Sequence, residues 1–144
     1  MDDISANVLN YWEKKRVNCA RSAACGILEF YKVHGSEILY KALTSFGGGI
    51  GEGTVCGGLI GALAAMNLIL AGNGLSDREI VNKSDALKNL FREKFTTLEC
   101  RALMDEFRLE NGKVDFQNPE RRKKCTNAVM TAVKGAQHII DQEK

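Results

Sequence analysis

The stretch FGGGIGEGTVCGGLIGALAA, Phe46 to Ala65, places eight glycines around one cysteine and then runs into an apolar segment. Gly47 to Gly53 is read as a loop, because glycine loses the most backbone entropy on ordering and does not sustain a helix. Beyond it, Thr54 is expected to cap a helix from about Val55 to Leu70, which Gly72-Asn73-Gly74 ends. That helix is the longest apolar-rich run of the chain. Glycines and Asn67 interrupt the run, and it is shorter than the roughly 20 residues that span a bilayer, so it reads as a buried core helix.

On the N-terminal side, Ile4, Val8, Tyr11 and Trp12 recur at three and four residue intervals, the mark of an amphipathic helix. Asp2 or Asp3 would cap it. Asn18 caps or interrupts, and Cys19 to Val33 reads helical until His34-Gly35 supplies a left-handed stop. Ser36 is the expected cap of a helix reaching about Ser45, with Ile38, Leu39, Ala42, Leu43 and Phe46 facing inward.

On the C-terminal side, Ser76 with Glu79 matches a capping box for a short helical turn. Lys83 to Phe95 gives a further helix, and Thr97 is the expected cap of another over Leu98 to Phe107. Asn111-Gly112 marks a turn, and Val114 to Phe116 a short extended piece or loop. Pro119 suits the first turn of a final helix that Asn118 caps and that runs to about Asp141. Its inward stripe is Cys125, Val129, Ala132, Val133, Ala136 and Ile140. No period-two alternation is long enough for a sheet. The expected fold is all-α, one domain over residues 1–144, a compact bundle of six or seven helices with a glycine-rich loop before a central buried helix.

Composition narrows the function. A chain of 144 residues buries roughly two thirds of its unfolded surface, so neither a disulfide nor a metal is needed merely to hold it together. A net charge of +2 gives no support to nucleic acid or anionic membrane as a partner. The one cationic run, ERRKKC from Glu120 to Cys125, reads first as a solvated helix start and second as an anion site. The N-terminus carries acids where a secretory signal would carry bases, which makes the cytoplasm the expected location. A homodimer suits so small a helical domain, although no stretch marks its interface.

The five cysteines, Cys19, Cys25, Cys56, Cys100 and Cys125, are an odd number in a chain read as cytoplasmic, which argues against a fully paired disulfide scaffold. Cys19 and Cys25, six residues apart, fall roughly 120° apart around one helix and do not easily share a ligand. Cys56, Cys100 and Cys125 each open an apolar stripe near the expected start of a helix. There the amides and the dipole would lower a thiol pKa. Three such placements point to a common site, while a preference for small residues near caps and inert core thiols give the same pattern. Gly57, Gly58 and Gly61 either let another helix approach closely or extend the loop of Gly47, Gly48, Gly49 and Gly51 into a backbone cradle for a sulfur, a cluster or an anion. The stretch lacks the lysine and serine of a phosphate loop, and no strand precedes it as a dinucleotide fingerprint requires. His34 and His138 are weak ligand candidates, and Tyr11 and Trp12 read as packing or dimer-contact residues.

The order of Asn18-Cys19-Ala20, the Phe46 to Gly49 loop leading to Cys56-Gly57-Gly58-Leu59-Ile60-Gly61, then Glu99-Cys100-Arg101 and Lys124-Cys125-Thr126, resembles the C_GCAxxG_C_C family of redox-active proteins. The resemblance covers the chain from about Asn18 to the final helix. It departs at Gly58, where the motif has alanine, and leaves Cys25 outside the pattern. It implies that Cys19, Cys56, Cys100 and Cys125 act together, and a related domain in a cytochrome resembles an iron-sulfur module.

Three functions follow as expectations. The first is an electron-transfer module with an iron-sulfur cluster on those four cysteines, Gly47, Gly48, Gly49, Gly51 and Gly57 contributing to its cradle, and an unidentified redox partner. The second is a metal-free thiol-disulfide protein with Cys56 and Cys19 as its catalytic pair. The third is a helical interaction domain with a structural zinc.

Overall fold

The computed structural model describes residues 3–143. Its α-helices are α1 (Asp3–Leu9), α2 (Cys19–Phe30), α3 (Ser36–Ala42), α4 (Gly57–Gly72), α5 (Asp77–Phe95), α6 (Cys100–Leu103) and α7 (Pro119–Gln142). Two wide π-helical turns, Asn10–Lys14 and Gly49–Gly53, and a 3-10 turn, Asp105–Phe107, complete the helical segments. The described chain is all-helical, as its periodicity implies, but it divides into more segments than the six or seven expected. Two isolated antiparallel bridges, Val55 with Glu99 and Arg108 with Val114, are the only β pairing among the described residues.

α4 is apolar on nearly every face and therefore sits in the middle. Leu59, Ala62, Ala65, Met66 and Leu70 are wholly buried, and each large side chain among them contributes about 1.5–3 kcal/mol of transfer free energy. α2 and α7 pack against this helix through its glycines. A Cβ built on Gly61 would lie 2.0 Å from the Ala20 carbonyl oxygen, and one on Gly58 would lie 3.0 Å from the Val129 Cα. The motif's alanine would therefore require α7 to shift, and glycine at 58 sets a closer approach. Leu87 and Phe91 of α5 complete the core.

Local capping signals hold where both partners lie within three residues. Asn18 accepts from the Arg21 amide and Asn118 from the Glu120 amide. Ser76 and Glu79 form the full capping box, which starts one long α5 where a short turn and a separate helix were expected. Other expectations fail. Asp2 lies outside the described residues, and Asp3 is already the first residue of α1. The left-handed residue after α2 is Lys32, at φ 56°, and Gly35, not Ser36, is the N-cap of α3. α3 buries none of its residues, and Ile38 is 72% exposed.

The corrections around the glycine loop matter most. Thr54 is not a cap: its amide and hydroxyl both donate to the Gly49 carbonyl, at 3.1 and 2.7 Å, and close the wide turn. Pairing of Val55 with Glu99 keeps both flanks extended. α4 therefore waits until Gly57 with Cys56 as its N-cap, and α6 waits until Cys100. Thr97 accepts from the Glu99 amide in the segment before α6 and does not cap a long helix.

Gly48, Gly49, Ile50 and Gly51 follow one another at φ 63°, 62°, 62° and 70°, a left-handed turn that suits every member but the isoleucine. A β-branched residue there is strained by about 1–2 kcal/mol, and Ile50 is half exposed, with little burial to offset it. Ile50→Gly is therefore expected to stabilise the protein by about 1 kcal/mol. Urea unfolding followed by circular dichroism measures this, and an unchanged or lower midpoint would contradict the strain.

Candidate functional site

The short ribbon formed by residues 54–56 and 98–100 builds half of the site. The Cys56 amide donates to the Leu98 carbonyl at 2.8 Å, and the Cys100 amide to the Thr54 carbonyl at 2.7 Å. Cys56 and Cys100 each follow a member of the Val55–Glu99 pair, so side-chain alternation puts both on one face.

Cys19 reaches the same place from the start of α2. Asn18 holds that start against the segment after α3 by donating to the carbonyls of Leu43 and Thr44, both at 3.1 Å. Gly57 makes the room. A Cβ on it would lie 2.4 Å from the Cys19 sulfur and 2.8 Å from the Phe46 carbonyl oxygen. Cys125 comes from the second turn of α7, with its Sγ 3.8 Å from the Met104 Sδ and 3.7 Å from Nη1 of Arg121.

All four thiols line one cavity of about 520 Å³. Gly47, Gly48, Gly51, Gly53 and Gly57 form a wall without side chains, while Trp12, Leu103, Met104 and Val129 form an apolar floor. Arg101, Arg108, Arg121 and Phe116 also line it. Gly49 does not line the cavity. It packs on Thr54, whose amide nitrogen would be 2.4 Å from an added Cβ. The two readings of the glycines thus divide by position: Gly58 and Gly61 admit helices, and Gly57 admits a cysteine. Cys25 is buried elsewhere, with its thiol donating to the Ser36 carbonyl. His34 and His138 are exposed and do not line this cavity.

The electrostatics overturn the expected thiolates at helix starts. Burial pushes the Cys56 thiol up to about 12, against the opposing pull of the Leu59 and Gly58 amides on its sulfur. Cys19 and Cys100 add to the rise. Burial also raises Cys100, with Cys125 and Cys19 as the next causes. For Cys125 burial again dominates, and Arg121 pulls the other way. Desolvation of a charge outweighs two amide hydrogen bonds, which is why a helix start alone did not decide the ionisation. The thiols nevertheless act on one another, so their sulfurs form one electrostatic group. Among the described residues, no three His, Cys, Asp or Glu side chains are grouped so as to hold a single metal ion.

A pH dependence follows for the metal-free protein. The unfolded chain loses the Cys56 proton near 9.0 and the folded chain keeps it to about 12. The unfolded state therefore binds fewer protons in that window, and stability present below pH 9 is lost progressively towards pH 12. Cys25, raised by burial to about 11, acts in the same direction. The urea midpoint is expected to fall between about pH 8 and about pH 10.5, and slow alkylation of Cys56 by iodoacetamide at neutral pH should accompany it.

The basic run at the start of α7 is not the solvated surface expected of it. Arg122 stacks its guanidinium 3.6 Å from the Trp12 ring and donates to the Trp12 carbonyl at 2.6 Å, while the Trp12 indole donates to Thr126 at 2.7 Å. Arg121 lies over the Phe116 ring at 4.9 Å, and its Nε is buried without a hydrogen-bond partner. Lys123 and Lys124 do stay at the surface, paired with Glu120 and Glu106. The signal was spacing: Arg121 and Arg122 precede Cys125 by four and three residues and so share its helix face.

This all-helical scaffold turns four cysteines from four separate segments into one cavity beside a glycine loop. The family model described as "Putative redox-active protein (C_GCAxxG_C_C)" matches residues 17–139, and the chain belongs to that family. No curated protein and no solved structure matches the chain. No helix among the described residues is long and apolar enough to cross a membrane.

Proposed function

We propose that the protein is an electron-transfer module whose cavity holds an iron-sulfur cluster on Cys19, Cys56, Cys100 and Cys125. The observation that carries this reading is the meeting of four sulfurs, distant in sequence, around one largely apolar cavity of about 520 Å³. The donor set is chemically apt, since thiolates are soft ligands. Gly57 leaves the room in which the Cys19 sulfur sits, and any side chain there would displace it. Four cysteines also match the ligand number of a common iron-sulfur cluster. Bound there, a cluster supplies a one-electron couple.

The chain's own groups would set its environment. The Gly58 and Leu59 amides point at the Cys56 sulfur, and Arg121 faces that of Cys125. Both favour ligands in the thiolate form and offset accumulated negative charge. Trp12, Leu103 and Val129 keep water from the floor, which strengthens those interactions. The raised Cys56 thiol works against the alternative in which Cys56 attacks a disulfide at neutral pH with Cys19 as its partner. A structural zinc would need at least three such donors grouped about one ion, and the described residues hold no such group. The redox partner, a homodimer and a cytoplasmic setting remain part of the proposal.

Anaerobic reconstitution with iron and sulfide tests it. The expected product is coloured and retains iron and acid-labile sulfide through desalting, whereas colourless, iron-free protein would refute the reading.

A further inference from the structure

Within the cavity, two sulfurs are in contact. The Cys125 and Met104 sulfurs are 3.8 Å apart. With metal-sulfur bonds of about 2.3 Å, two ligands of one tetrahedral ion stand about 3.8 Å apart. The pair is therefore already at ligand spacing. Met104 is buried, 5% exposed, and closes α6, where its amide donates to the Cys100 carbonyl at 3.0 Å. Cys100 lines the same cavity, and Cys125 is the neighbouring group that acts on it most strongly. The Met104 thioether adds a donor that the four-cysteine pattern does not contain.

We infer that Cys100, Met104 and Cys125 form a soft three-sulfur subsite for a monovalent thiophilic cation, Cu(I). Two thiolates and one thioether select Cu(I) over Zn(II), because zinc takes thiolate, imidazole and carboxylate and rarely a neutral thioether. Binding leaves the metal as Cu(I) and no electron moves. Each coordinating thiol gives its proton to solvent, and Arg121 beside Cys125 favours that release. Since a cluster would need Cys100 and Cys125, copper and cluster exclude one another. The subsite itself does not depend on the cluster.

The test titrates the reduced full chain with Cu(I), without oxygen, against bicinchoninate. Wild type is expected to hold one Cu(I) per chain. Met104→Leu, which conserves volume, should bind Cu(I) about tenfold more weakly or worse, and Cys125→Ser should lose it. Met104→Leu should keep the wild-type urea midpoint, so that a loss of Cu(I) reports the thioether and not the fold. Equal Cu(I) affinity in Met104→Leu and wild type, or surrender of all Cu(I) by wild type, overturns the inference. Failure of wild type to take up iron and sulfide counts only against the cluster, so the two outcomes are separable.

Discussion

Gly61→Ala is expected to destabilise the protein by about 2–3 kcal/mol, although alanine is intrinsically the better helix former by about 1 kcal/mol. The added methyl would lie 2.0 Å from the Ala20 carbonyl oxygen and 2.9 Å from the Ala20 Cα, and backbone on both sides cannot swing away as a side chain would. α2 and α4 must separate, and this is the contact on which Cys19 approaches Cys56. Gly72→Ala provides the control. It sits in the last turn of the same helix with nothing within 4 Å of the new Cβ, so the sign should reverse to a gain of up to about 1 kcal/mol. Urea unfolding of both variants measures the pair. A Gly61→Ala midpoint as high as wild type would mean that the helices are not in close contact there.

Gly57→Ala should disturb the site directly. Position 57 opens α4, and its Cβ would lie 2.4 Å from the Cys19 sulfur and 2.8 Å from the Phe46 carbonyl oxygen. Cys19 and the glycine-loop backbone beside it must then give way. Iron retained after anaerobic reconstitution is expected to fall about 10–100-fold, the range seen when a residue supporting a ligand is changed. Cys19→Ser should match it. Cys25→Ser should load as wild type does, since that thiol does not line the cavity. Normal iron uptake by Gly57→Ala would remove Cys19 from the proposed ligand set.

The readings that succeeded and failed differ in how far their causes reach. Asn18, Asn118 and the Ser76-Glu79 box cap their helices through atoms two or three residues away, so the capping bonds themselves are local. Thr54 looked equally good as a cap. Its hydroxyl was instead claimed by the Gly49 carbonyl of the left-handed turn, and Glu99, 44 positions along, drew Val55 into an extended pair. The same pairing delayed α6 to Cys100 and turned two cysteines to one face. For Arg121 and Arg122 the helix face was readable, but the Trp12 and Phe116 rings that receive them come from other segments.

By itself, then, the order of residues determined an all-helical chain, an apolar α4 for its centre, several caps and a four-cysteine pattern. These rest on backbone propensity and on interactions spanning a turn or less. Only the tertiary structure decided that four sulfurs share a cavity, that Gly57 rather than Gly49 yields to a thiol, that Met104 joins Cys125, and that burial keeps Cys56 protonated. Desolvation and close approach depend on which distant segments exclude water from a group, and no local stretch carries that information.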